Sequence, residues 1–90
     1  MKQLRILIQG RVQGVFFRDT ANGVANQIGV KGYVHNTPDG NVEIVAQGSE
    51  AQLKELLDFC YKGPRMANVS GVDVEEQEIA EDLKEFEIRY

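Results

Sequence analysis

Leu4-Arg5-Ile6-Leu7-Ile8-Gln9-Gly10-Arg11-Val12-Gln13-Gly14-Val15-Phe16-Phe17-Arg18 reads as a strand, a glycine loop and a helix entrance. Leu4, Ile6 and Ile8 alternate with Arg5, Leu7 and Gln9, which gives the strand one strongly apolar face. Past the loop, Ala21, Val24, Ala25 and Ile28 recur at helical spacing, with Asp19 or Thr20 expected as cap and Gly29 as stop. A helix N-terminus presents N–H groups with no intrahelical partner, and its dipole adds positive potential. Two glycines let the backbone curl so that several amides converge on one anion. Arg18, a buried-looking arginine at the helix entrance, can grip that anion bidentately. The corner is expected to hold a phosphate, cradled by the N–H groups of Gln13, Gly14, Val15, Phe16, Phe17 and Arg18.

Outward from this unit, a second strand is expected over about residues 31–36. Thr37-Pro38-Asp39-Gly40 then reads as a type I turn, with proline second and glycine last. Val42, Ile44 and Ala46 share one face of a third strand. Ser49 and Gln52 form a capping box for a second helix, whose stripe is Leu53, Leu56, Leu57 and Cys60. Gly63-Pro64 ends it. Val69, Val72 and Val74 mark a fourth strand, out of phase around Gly71, where a bulge is expected. Phe86, Ile88 and Tyr90 alternate in a short closing strand. The order β-α-β-β-α-β plus one strand predicts an α+β fold of the ferredoxin-like, split βαβ type, with an antiparallel sheet and both helices on one face.

In that arrangement the strand order is 4-1-3-2, and the first and second strands run parallel with the third between them. The glycine loop leaves the first strand and Asn36 ends the second, so both lie on one rim, about 10 Å apart. An inward loop and the long Arg18 side chain span that gap. Amides, a guanidinium and a carboxamide are thereby expected around one pocket.

Composition narrows the function classes. Ninety residues make one domain, residues 1–90, and a hydrophobic fraction of 42% suits an ordinary globule. A net charge of −4 argues against a general nucleic-acid binder, which needs a dense basic face. No apolar run approaches the roughly 20 residues of a membrane span, and Met1-Lys2-Gln3 leads into a strand without a signal pattern. A single cysteine excludes an internal disulfide and a CxxC metal or redox site. A cytoplasmic monomer is expected, without metal or other cofactor and without a nucleic-acid or membrane partner.

The stretch from Gly10 to Arg18 resembles the signature of the acylphosphatases, small enzymes that hydrolyse carboxyl-phosphate mixed anhydrides. Gly32-Tyr33-Val34-His35-Asn36-Thr37-Pro38-Asp39-Gly40-Asn41-Val42 resembles that family's second motif, and Gly48 falls where the family has a glycine. The resemblance runs from about residue 3 to Phe86-Glu87-Ile88-Arg89-Tyr90. It implies that Arg18 binds phosphate and Asn36 positions water, the substrate being an acyl phosphate and inorganic phosphate a product. The parts suit that chemistry. An acyl phosphate leaves as a carboxylate of pKa about 4, so no general acid is needed. Phosphoryl transfer then asks for positioning and charge stabilisation. A phosphate ester leaves as an alkoxide and wants an acid, a covalent nucleophile or metals, and no such set is present.

The plainer readings are a ligandless turn, an ion-paired Arg18 and an Asn36 that serves only its turn. His35 faces the opposite side of the sheet from Asn36 and departs from the family's longer polar or basic residue. Cys60 is expected in the core, and Phe16 and Phe17 around the site. Thr20 and Thr37 are possible hydroxyl contacts, and the acidic run Glu75, Glu76, Glu78, Glu81 and Asp82 is expected in solvent. An RNA-binding module of this topology needs aromatics on its third strand, which Asn41-Val42-Glu43-Ile44-Val45-Ala46-Gln47 lacks. A metal chaperone needs more than one cysteine. The alternatives left are a non-catalytic small-anion or metabolite-binding ferredoxin-like domain and a site for carbamoyl phosphate, as in related domains of larger proteins.

Overall fold

The computed structural model describes residues 1–90. The chain runs β1 (Lys2–Arg11), α1 (Phe17–Ile28), β2 (Lys31–Asn36), β3 (Val42–Gly48), α2 (Glu50–Lys62), β4 (Asn68–Gln77) and β5 (Glu87–Ile88). Across the sheet the order is β4-β1-β3-β2-β5. This is the ferredoxin-like plan with a strand added at the β2 edge.

Alternation explains the core. Leu4, Ile6 and Ile8 of β1 pair with Ala46, Ile44 and Val42 of β3, and Val34 of β2 meets Ile44 from the other side. Their side chains share one face of the sheet. Against it α1 lays Ala21 and Ala25, and α2 lays Leu53, Leu56 and Cys60. The small alanines bring α1 close to the strands. The Ser49–Gln52 capping box opens α2, and Gly29, in the left-handed region, closes α1 by donating its N–H to Ala25. Cys60 is unpaired and fully buried, and burial pushes its thiol up to about 12.

The sheet is mixed, not purely antiparallel: β5 runs parallel to β2, with Tyr33 opposite Glu87 and Val34 opposite Ile88. The reason lies in where β4 ends. Gln77 pairs with Gln3, at the rim where β1 begins, and β2 begins at that same rim. The chain crosses the open face there, its Ala80 held by hydrogen bonds with the buried Gln3 and Gln47. A strand entering from that rim must run along β2. The acidic residues Glu75, Glu76, Glu78, Glu81 and Asp82 are all exposed.

The bulge expected near Gly71 is present. Gln9 pairs with Gly71 and Gly10 with Val69, which leaves Ser70 without a partner in β1. Gly10 sits at this irregularity with φ +124°, and a Cβ there would lie 2.2 Å from the Asn68 carbonyl oxygen. Only glycine fits so close to another backbone.

Candidate active site

Residues 12–16 join β1 to α1. Gly10 is occupied with the β4 crossing, so the curl of the loop falls to Gly14 (φ +73°) and, unexpectedly, to Phe16. Phe16 takes the N-cap place of α1 with φ 63° and ψ 24° and no side-chain cap. The cap expected at Asp19 or Thr20 is therefore a misreading: the helix begins earlier, and Thr20 instead donates its hydroxyl to the Phe16 carbonyl at 2.9 Å. A left-handed non-glycine residue costs roughly 1–2 kcal/mol. Here the buried Val15 and Phe17 on either side hold it in place, Phe17 packing on Phe59 with ring centroids 5.5 Å apart. Phe16 itself is 70% exposed, so of the two phenylalanines only Phe17 is packed in.

This backbone leaves a row of free donors. None of the N–H groups of Gln13, Gly14, Val15, Phe16, Phe17 and Arg18 is bonded within the protein. Left-handed residues at positions 14 and 16 bend the row into a concave nest of the kind that holds anions. A polar cap on α1 would have consumed some of these donors.

Arg18 and Asn36 line one open cavity of about 290 Å³, together with Gly14, Phe16, Asp19 and Tyr90 and floored by Val12 and Phe17. That volume is about ten waters' worth, enough for a phosphoryl group and part of what it is attached to. The structure thus brings together the two side chains read from distant parts of the sequence. Val15 points into the core instead, and the Gln13 side chain turns away to the β2–β3 turn. Arg18 is half-buried and takes part in no ion pair, whereas Lys2, Arg5, Lys54 and Arg89 all do.

The side-chain hydrogen bonds nearby run through Gln13, Thr37, Asp39 and Asn41 and leave Asn36 out. Asn36 is the last residue of β2, on the helix-facing side with Val34. The turn that follows closes without it: Gly40 N–H reaches the Thr37 carbonyl at 3.2 Å, and Thr37 N–H the Asn41 carbonyl at 2.9 Å. The Thr37 hydroxyl bonds Asp39 and holds its carboxyl below the usual range. Thr37 is thus a turn-building residue and lies outside the cavity lining. His35 faces the other side, where its Nε2 lies 2.7 Å from Glu43.

Tyr90 is the part of the site that the sequence reading missed. Continuing the β2–β5 register by two residues sets Tyr90 level with Asn36. Alternation of Phe86, Ile88 and Tyr90 was visible in the sequence, but which strand they would join was not. No cluster of three or more His, Cys, Asp or Glu side chains with metal-binding geometry exists in the chain.

A family model described as Acylphosphatase matches residues 4–88. An acylphosphatase of Rubrobacter xylanophilus is 46% identical over 88 residues, which cover 98% of this chain and 80% of that one. One of Archaeoglobus fulgidus is 46% identical over 90 residues, the whole of both chains. The crystal structure of acylphosphatase from Bacillus subtilis matches with a TM-score of 0.95 at 37% identity and full coverage of both chains.

Proposed function

This chain belongs to the acylphosphatase family, and from that premise we propose how it hydrolyses carboxyl-phosphate mixed anhydrides. The phosphoryl group sits in the nest of loop N–H groups with Arg18 bidentate on its oxygens. Asn36 accepts a hydrogen bond from the attacking water through Oδ1 and donates through its NH₂ group, which fixes the line of approach. The water oxygen bonds phosphorus as the bond from phosphorus to the acyl oxygen breaks. The carboxylate leaves unprotonated, and the water's proton passes to an oxygen of the phosphate. Charge on the equatorial oxygens is met by donors already aimed at the site, the main demand of a loose phosphoryl-transfer transition state.

One observation carries this reading: an unpaired guanidinium, an unengaged carboxamide and the residues of four unbonded amides, Gly14, Phe16, Phe17 and Arg18, line one small cavity. The reading needs no metal. It also takes the enzyme as a cytoplasmic monomer acting on a small-molecule acyl phosphate; the unpaired Cys60 and the net charge of −4 support this.

The test is release of benzoate from benzoyl phosphate, with and without EDTA. Hydrolysis should survive chelation, and inorganic phosphate should inhibit competitively. Phosphate binding without turnover would make the chain a binding domain. Loss of activity in EDTA with recovery on adding a divalent cation would overturn the metal-free step.

A further inference from the structure

We infer that Gln13 is a positioning residue: its side chain ties the anion nest to the β2–β3 turn and so sets where Asn36 stands relative to Arg18. The inference rests on the proposed roles of those two residues. The need for a tie follows from the sheet. The last β1–β3 pair is Ile8 with Val42, and the last β2–β3 pair is Asn36 with Val42. Beyond these rungs β1 follows β4 alone, through Gln9, Gly10 and Arg11. No ladder bond therefore joins the nest to the turn that begins beside Asn36, although the cavity lies between them.

Gln13 bridges that gap. Its Nε2 donates to the Thr37 carbonyl at 2.9 Å and to the Asn41 carbonyl at 2.8 Å. Two carbonyl acceptors can be met together only by the NH₂ end of the amide, which settles its orientation. Thr37 and Asn41 are the closing pair of the turn, already bonded through Thr37 N–H and the Thr37 hydroxyl. Gln13 thus grips the one rigid part of the turn, next to Asn36. Because the nest and Arg18 belong to the same segment as Gln13, cutting the tie should leave phosphate binding intact and displace Asn36. Misplacement by about 1 Å costs on the order of 10²-fold in rate.

The experiment is a kinetic double-mutant cycle on benzoyl phosphate with Gln13→Met, which keeps length and removes both donors, and Asn36→Ala. Gln13→Met should lower kcat by about 10- to 100-fold while the inhibition constant of inorganic phosphate stays within about threefold. In the Asn36→Ala background the same change should do almost nothing to kcat. Equal losses of kcat in both backgrounds, or a parallel loss of phosphate affinity, would overturn the inference. If Asn36→Ala alone leaves kcat unchanged, the role proposed for Asn36 falls instead. Gln13→Glu gives a readout independent of the first variant's folding. Its carboxyl can donate to a carbonyl only when protonated, so kcat relative to wild type should recover as pH falls from 7 to 5. A flat ratio would refute the tie.

Discussion

The guanidinium carbon of Arg18 lies 4.9 Å from the centroid of the Tyr90 ring, residues that stand at opposite ends of the sequence. The ring face is the side-chain neighbour of an arginine that makes no ion pair, and both residues line the cavity. A solvent-exposed cation–π contact is worth about 0.5–1 kcal/mol. Tyr90→Ala should therefore raise the inhibition constant of inorganic phosphate about two- to fivefold, and Tyr90→Phe should leave it unchanged. An unaltered constant in Tyr90→Ala would mean that the ring lies beside Arg18 without orienting it.

Arg18 and Asn36 should fail in different ways. In the proposed mechanism Arg18→Ala removes the charge that holds the phosphoryl group, so it should abolish most binding and turnover. Arg18→Lys keeps the charge but not the fork, so it should restore affinity only in part. Asn36→Ala should preserve phosphate affinity and lower kcat by about 10²–10³-fold, the scale of a lost oxyanion donor. Steady-state kinetics with phosphate as inhibitor separates the two, and equal loss of affinity in both alanine variants would erase the distinction.

Two glycines with positive φ should respond in opposite ways to alanine. At Gly14 a Cβ meets nothing within 4 Å, so the change costs only the strain of φ +73°, about 1–2 kcal/mol. Its main effect should be on kcat and on phosphate affinity, because it disturbs the nest. At Gly32 a Cβ would lie 1.8 Å from the Val45 carbonyl oxygen, inside the sheet. Gly32→Ala should fail to fold or melt far lower. Thermal melts beside activity per folded molecule check both.

Acid should destabilise the fold through Glu43. Burial opposes its charge, but hydrogen bonds from His35 and Arg5 outweigh this and hold its carboxyl below the usual 4.5. A lowered folded-state pKa means stability that is present above about pH 4.5 and lost as pH falls through the folded value. Tm measured from pH 7 down to pH 3 should fall, and Glu43→Gln should start lower and show a flatter slope. Parallel curves would show that Glu43 adds no pH dependence.

Cys60 should be inert in the native protein. With no exposed surface and a thiol pushed up to about 12, it offers almost no thiolate near neutrality. Iodoacetamide at pH 8 should label it only in denaturant; rapid native labelling would mean that α2 opens readily.

Much of this molecule is written in short-range pattern. The period-2 runs of β1 and β3, the i, i+3, i+4 stripes of both helices, the Ser49–Gln52 box and the turn after Thr37 all form as read, because each depends on neighbours a few residues away. Arg18 and Asn36 were singled out by the glycine loop beside the one, the strand end at the other and the two motifs that resemble the family's. The helix entrance was misread because Phe16 in a left-handed conformation is set by burial of Val15 and Phe17, which no local preference announces.

Local pattern thus determined the elements, their order and the places of Arg18 and Asn36 along the chain. Tertiary structure decided the parallel seat of β5, the arrival of Tyr90 beside Arg18, the close crossing at Gly10 and the grip of Gln13 on the Thr37–Asn41 pair. Each of these depends on which segments meet in space after the sheet has closed. Contacts between residues 24 to 72 positions apart leave no period and no cap in the sequence that encodes them.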